Sequence, residues 1–283
     1  MYKLLDGKAI AKIIKEEISL EVTEWKNKGI SPTLAVILAG DDPASVYYAN
    51  AKKKVCANLG FEYQLHELSA QTNDRELLEL TQQLNNDKNV HGIMVMPPLP
   101  RQIDKDKVMA SIKPEKDVDG VHPVNRGYIM SGQDGLFPAT PQSCIEILLR
   151  SGVEIAGKNV VIVGRGDTVG KPLVFMILKH NATVTICHSK TVDLGAHTRK
   201  ADIIIAAVGR AGIITADMVK EGAVVVDAGI NKTENGICGD VDFEGVKEVA
   251  GMISPVPGGV GSLTTALLLK NVLKGISLQK GES

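Results

Sequence analysis

The run Val160-Val161-Ile162-Val163-Gly164-Arg165-Gly166-Asp167-Thr168-Val169-Gly170 decides the fold. Four β-branched residues read as a buried strand, and the glycines after them as a turn into a helix. A strand that feeds a glycine turn and a helix N-terminus aims backbone N–H groups and the helix dipole at a phosphate. Small residues are needed there because the phosphate oxygens must approach the main chain closely. The spacing is Gly-x-Gly-x-x-x-Gly, one residue longer than the usual dinucleotide fingerprint, so by itself the loop also fits a plain strand–helix turn. The alternating units on either side favour the dinucleotide. A P-loop would need Ser or Thr after Lys171 and glycine five positions before Gly170; Pro172 and Arg165 stand there instead.

Outward from this loop, strands are predicted at 183–187, 203–208 and 224–227, with a closing helix over 263–276. On the N-terminal side, Ile10, Ile13, Ile14, Ile18, Val22 and Trp25 share one helical face, with Gly29 as a stop. Strands are expected at 33–38, 61–68 and 90–96, the last closed by Pro97-Pro98-Leu99-Pro100. Helices are expected at 45–59, with Ser45 as cap and Gly60 as end, at 74–84 and at 142–150. Long crossovers rather than tight hairpins join the strands, so the sheets should be mainly parallel. Prolines and glycines punctuate 113–141, which reads as a seam. The expectation is an α/β protein of two domains, 1–120 and a Rossmann-like 121–262, with the terminal helix 263–283 packing back on the first.

The strand at 183–187 ends in Cys187-His188-Ser189-Lys190-Thr191 without the carboxylate that would hold an NAD ribose. Ser189, with Arg165 or Lys190, favours the 2′-phosphate of NADP, although a solvated basic turn would look the same.

Composition narrows the class. The 32 Lys+Arg against 33 Asp+Glu give a net charge of −1, which offers no bulk attraction to nucleic acid or anionic lipid. Aromatic residues at 4% are too few for a base-stacking surface. No apolar run approaches the ~18 residues of a membrane span, and the opening Met1-Tyr2-Lys3-Leu4-Leu5-Asp6 meets an acid too early for a signal peptide. Cys56, Cys144, Cys187 and Cys238 are scattered, as in a cytoplasmic protein with reduced thiols.

In the first half, Tyr48 and Lys52 are four residues apart on one predicted helix and share a face. A lysine in a desolvated position can serve acid–base chemistry; an ordinary surface lysine has the same spacing. Asp117 and Asp119 lie in Lys116-Asp117-Val118-Asp119-Gly120, and no matching histidine cluster supports a metal. Pro255-Val256-Pro257-Gly258-Gly259-Val260-Gly261 precedes Ser262 and the last helix, where glycines suit either close approach to a ligand or a domain-joining turn.

Taken together these segments resemble the bifunctional methylenetetrahydrofolate dehydrogenase/cyclohydrolase family over nearly the whole chain. The segments are Asp42-Pro43-Ala44-Ser45 with Tyr48 and Lys52; Gly92-Ile93-Met94-Val95 with Pro98-Leu99-Pro100; Lys116 to Gly120; the glycine loop; His188 to Thr191; and Pro255 to Gly261. The resemblance implies two α/β domains around a cleft in a cytoplasmic homodimer. It implies NADP-dependent oxidation of 5,10-methylenetetrahydrofolate and hydrolysis to 10-formyltetrahydrofolate, within one-carbon metabolism and purine biosynthesis. By position it implies that Tyr48 stacks on folate, Lys52 is catalytic and Asp119 bonds the pterin. Pro98, Gly258 and Gly261 would line the substrate, and Gly164, Arg165, Gly166, Ser189 and Ile230 would hold NADP. The chain departs from the family at Met96-Pro97, where Gln-Leu is usual, and at Ser262, where Pro is usual and serine would cap the helix. A thioether cannot replace an amide's hydrogen bonds, which predicts a working dehydrogenase with weak or absent cyclohydrolase. A shikimate-type NADP dehydrogenase and a non-catalytic folate- or nucleotide-binding protein are the alternatives.

Overall fold

Helices and strands alternate for most of the chain in the computed structural model, which describes residues 2–234 and 236–281. The first half runs β1 (Lys3–Leu4), α1 (Gly7–Asn27), β2 (Thr33–Ala39), α2 (Pro43–Leu59), β3 (Glu62–Leu68), α3 (Asp74–Asn86), β4 (Gly92–Val95), α4 (Lys105–Ser111) and α5 (Pro123–Ser131). The second continues with α6 (Ala139–Arg150), β5 (Asn159–Val163), α7 (Gly170–Lys179), β6 (Thr183–Cys187), α8 (Leu194–Thr198), β7 (Ile203–Ala206) and β8 (Val224–Asp227). A hairpin of β9 (Asn231–Thr233) and β10 (Gly236–Cys238), then α9 (Phe243–Val246), β11 (Met252–Ile253) and α10 (Thr264–Lys280) complete it. Apart from the antiparallel β9–β10 pair, every strand pairing among the described residues is parallel.

The chain divides into two compact units: residues up to Ile13 with Pro138–Thr264, and Ile14–Phe137 with the chain from Thr265 onward. This corrects the expected boundary at 120/121 and the assignment of the first residues. The N-terminus belongs to the second sheet because β1 pairs with β11, Lys3 opposite Met252 and Leu4 opposite Ile253. At Gly7 a Cβ would overlap the Gly259 carbonyl, so glycine lets α1 start against that loop. Residues 121–137, read as part of the dinucleotide domain, stay with the first because Asn125 Nδ2 donates to Asp117 Oδ2 and to Pro114 O, both at 2.9 Å. Asn271 Nδ2, on α10, donates to Val118 O (2.8 Å) and Phe137 O (2.7 Å), so α10 is tied to this unit too.

In the unit containing Ile14–Phe137 the sheet order is β3-β2-β4. All of β2 and β4 are buried, as parallel strands covered on both faces must be. Ile14, Ile18, Val22 and Trp25 of α1 are buried, whereas Ile13, placed on the same face from sequence, is 49% exposed. Gly92 has no room for a Cβ against Val118, which lets the 116–120 segment lie along β4 with Ile93 bridged to Asp117.

The other unit holds six strands in the order β1-β11-β8-β7-β5-β6. From β5 the chain goes to β6 on one side and returns to β7 on the other. That reversal makes a crevice at the carboxyl ends of β5 and β7, the place where open α/β sheets bind ligands.

Candidate active site

In the first unit, Asp42 rather than Ser45 caps α2. Asp42 Oδ2 accepts the Ser45 N–H and hydroxyl, both at 2.9 Å, with Pro43 at the first helical position. The Ser45 hydroxyl also reaches Pro97 O at 2.8 Å, tying the start of α2 to the turn that carries Pro98. Gly60, at φ 81°, ends the helix in the left-handed conformation as its sequence position required.

Ser45, Ala49, Cys56 and Leu59 make the buried side of α2. Tyr48 is 53% exposed, and the Lys52 ammonium lies 5.8 Å from its ring centroid. Lys52 itself is half-buried. Burial lowers its proton affinity, and the charge of Asp119 partly restores it. Asp119 is half-buried on the segment beside β4. Desolvation, reinforced by Asp117, pushes its carboxyl up to about 7, against the pull of Lys52 and Lys105. A lysine more easily deprotonated than usual and a carboxyl close to its neutral point thus interact within one unit, a pairing suited to moving protons near neutral pH.

Asp117 does not share that role. It is fully buried, and its Oδ2 accepts the His122 N–H (2.8 Å) and the Asn125 amide. Cys56, one turn beyond Lys52 and missed as a neighbour from sequence, is an inert thiol that burial pushes up to about 12. Met96 is buried, while Pro98, two residues on, is exposed. No group of three His, Cys, Asp or Glu among the described residues is placed to hold a metal.

In the second unit the three glycines of the loop differ. Gly164 sits at φ +123° with its α-carbon against the Ala207 carbonyl, and a Cβ on Gly170 would strike Gly164 O. Around Gly166 there is open space. The outer two therefore pack the turn, and the middle one leaves the main chain approachable, the division a pyrophosphate site needs. Helix α7 begins at Gly170 with no side-chain cap on its N-terminus. The Lys171 N–H donates to Gly166 O at 3.0 Å and Pro172 has no N–H, so an anion here would rest on the loop's main chain more than on the helix's first turn. Arg165 is exposed. Beyond β6, His188 N donates to Thr191 Oγ1 (2.8 Å) and Lys190 N to His188 Nδ1 (3.1 Å), a tight turn that leaves Ser189 exposed. Ile230 is 65% exposed after β8. Gly258, at φ +113°, and Gly261 lie on the loop ahead of α10. Ser262 does not cap that helix: it ends a 3₁₀ turn, Val260–Ser262, and α10 starts at Thr264.

One unit with a parallel sheet and a glycine loop at its switch point, and in the same chain another that carries a desolvated lysine and a raised carboxyl, are the parts of a nicotinamide-nucleotide-dependent α/β enzyme. The model of the tetrahydrofolate dehydrogenase/cyclohydrolase catalytic domain matches residues 5–119, and that of the family's NAD(P)-binding domain matches 138–280. The chain belongs to the tetrahydrofolate dehydrogenase/cyclohydrolase family. It is 67% identical over 282 residues to bifunctional protein FolD 2 of Desulfitobacterium hafniense, covering 100% of this chain and 99% of that one. The crystal structure of the bifunctional FolD dehydrogenase/cyclohydrolase from Campylobacter jejuni superposes with a TM-score of 0.96 at 46% identity, over 99% and 100% of the two chains. The Trypanosoma brucei dehydrogenase-cyclohydrolase, solved with NADP and an inhibitor, gives 0.91 at 37% identity, over 99% and 98%. The shikimate-type and non-catalytic alternatives are set aside: the chain is an enzyme of this folate family.

Proposed function

We propose that the chain oxidises 5,10-methylenetetrahydrofolate to the 5,10-methenyl form with NADP and hydrolyses that product to 10-formyltetrahydrofolate. The observation that carries this reading is the desolvated Lys52 in electrostatic contact with Asp119 on the family's catalytic domain.

Bound NADP would supply the acceptor for the hydride of the bridging carbon. The folate's own nitrogen lone pairs stabilise the cation left behind, so the protein's task in oxidation is alignment. Tyr48 stacks on the folate, Asp119 hydrogen-bonds the pterin, and Pro98, Gly258 and Gly261 line the substrate. Hydrolysis asks for more. Water adds to the cationic carbon and loses a proton to leave a hydroxyl. That hydroxyl then gives up its proton as the C=O forms, the bond to N5 breaks and N5 takes up a proton, so one proton is released overall. Lys52, with part of its proton affinity removed by burial, carries protons through that sequence, a role that its lowered affinity supports. On the dinucleotide side, Gly164 to Gly166 hold the pyrophosphate, Arg165 and Ser189 the 2′-phosphate, and Ile230 packs on the cofactor. The chain is read as a homodimer in the cytoplasm, serving one-carbon supply for purine biosynthesis. No helix among the described residues is long and apolar enough to cross a membrane.

Cofactor choice tests the second half of the reading. One charge-assisted hydrogen bond contributes ~1.5–3 kcal/mol, so kcat/KM for NADP should exceed that for NAD by about tenfold or more. Arg165→Ala should narrow the gap through KM for NADP. Initial rates from the absorbance of the reduced nicotinamide decide it, and equal use of both cofactors by the unmodified protein overturns the assignment.

Met96 bears on the balance of the two activities. The relatives named above are bifunctional, so an absent cyclohydrolase is no longer expected, but methionine still cannot make the bonds of an amide. Hydrolysis should be the slower activity, and Met96→Gln should speed it by about tenfold or more, the worth of one hydrogen bond to a charged group. The decay of methenyltetrahydrofolate absorbance measures this. Hydrolysis as fast as oxidation, with no gain from glutamine, makes Met96 a neutral replacement.

A further inference from the structure

Asp240 is fully buried, yet it sits between two exposed loops of the dinucleotide unit. Its Oδ2 accepts the main-chain N–H groups of Val208 (2.6 Å) and Gly209 (3.0 Å), and its Oδ1 accepts those of Arg210 (2.8 Å) and the Asn231 amide (2.9 Å). Three successive N–H groups turned inward, with Gly209 at φ +66°, form a backbone nest of the kind that binds anions. Here the anion is the protein's own carboxylate.

The nest lies just past β7, on the side of the switch-point crevice opposite the glycine loop. Gly164 abuts the Ala207 carbonyl immediately before it, so the two walls of the crevice touch at their base. The same carboxylate fixes the segment after β8. A Cβ on Gly229 would collide with the Asp240 carboxyl, and Asn231 holds both Asp240 and Gly239 O (3.0 Å). Asp240 is itself held in place: its N–H donates to Asp227 Oδ1 at 3.0 Å, and Asp227 also accepts from Gly229 (2.9 Å) and Val241 (2.8 Å).

We propose that Asp240 is a positioning residue of the dinucleotide site, its carboxylate filling the nest after β7 and thereby fixing both the 208–210 wall and the Gly229–Asn231 segment that carries Ile230. Filling the nest internally also denies it to a phosphate, which leaves the glycine loop as the anion site of the crevice. An asparagine cannot do this work. Its one oxygen can accept from part of the set, and its NH2 would face backbone N–H groups, donor against donor. The loops would then settle elsewhere, and the cofactor would meet a site that is no longer preorganised.

The inference rests on the dinucleotide reading of this unit, which saturable binding of NADPH to the unmodified chain, followed by fluorescence, tests separately. Given that binding, Asp240→Asn should weaken NADP and NAD by the same factor, about tenfold or more, because it acts on backbone shared by both cofactors. Variants at Arg165 or Ser189 should instead change their ratio. KM for the dinucleotide should rise with kcat and the folate KM changed less. Asp240→Ala should behave likewise, and added formate, a carboxylate small enough for the space left, should restore cofactor affinity. A folded Asp240→Asn that binds both cofactors as the unmodified chain does overturns the proposal. So does a loss confined to NADP, or an Asp240→Ala variant indifferent to formate. If neither variant folds, Asp240 is a determinant of the fold rather than of the site, and the proposal fails equally.

Discussion

Lys52→Met is expected to cut the cyclohydrolase rate by about 10²–10⁴-fold, the usual contribution of a positioned acid–base group, while NADP binding stays within about twofold. Methionine keeps most of the side chain's length and loses only the amine that carries protons. The separation of effects follows from placement: Lys52 belongs to the unit of Ile14–Phe137, and the glycine loop belongs to the other. Lys52→Arg sharpens the test. It retains the charge beside Asp119, but a guanidinium stays protonated at all working pH values and cannot relay a proton. Arginine should therefore rescue folate binding better than hydrolysis. The rates come from methenyltetrahydrofolate decay and the affinities from titration with NADPH. If Lys52→Met hydrolyses the intermediate at the unmodified rate, proton transfer runs through another group.

Gly164→Ala is the change expected to cost most in stability. Gly164 holds φ +123°, a conformation that an L side chain rarely adopts, and its Cβ would lie inside the Ala207 carbonyl. Backbone strain of ~1–3 kcal/mol and overpacking of ~1–3 kcal/mol add to about 2–6 kcal/mol, against a total of ~5–15 kcal/mol for a typical protein. A marked fall in Tm should accompany loss of NADP affinity. Gly166→Ala makes the opposite expectation. Nothing crowds a Cβ there, so Tm should move little while the methyl obstructs the approach of a phosphate and weakens NADP. Thermal unfolding and NADPH titration on both variants separate packing from binding. A Gly164→Ala protein with an unchanged Tm would show that the turn adapts, and a Gly166→Ala protein with unchanged affinity would place the pyrophosphate elsewhere.

Local patterns carried the parts of this protein that one or two turns of chain decide. The run 160–170 marked a buried strand, a packed turn and a helix start because the residues concerned are neighbours in sequence. The same holds for α2, where spacing put Tyr48 and Lys52 on one face and Gly60 at the end. Even there a neighbouring choice stayed open: Ser45 and Asp42 both suit a cap, and the structure uses Asp42 while the Ser45 hydroxyl ties the helix to Pro97. Helix α5 lies unmarked within 113–141, because the prolines and glycines there signal an irregular stretch whatever lies between them.

The α/β class, the parallel sheets and the glycine loop were legible in local patterns of the chain, whereas Tyr48, Lys52 and Asp119 became site candidates through the family resemblance. Tertiary structure alone decided where the units divide, because β1 and β11 are two residues each, too short for any periodicity, and exist only by pairing with partners far along the chain. It alone raised the Asp119 carboxyl to about 7 and lowered the proton affinity of Lys52, since desolvation is a property of what packs around a charge and not of the charge itself. And it alone distinguished Asp240, which in sequence is one acid among 33 Asp and Glu. A carboxylate's worth lies in the donors brought to it, and those of Val208, Gly209, Arg210 and Asn231 arrive from other strands' ends.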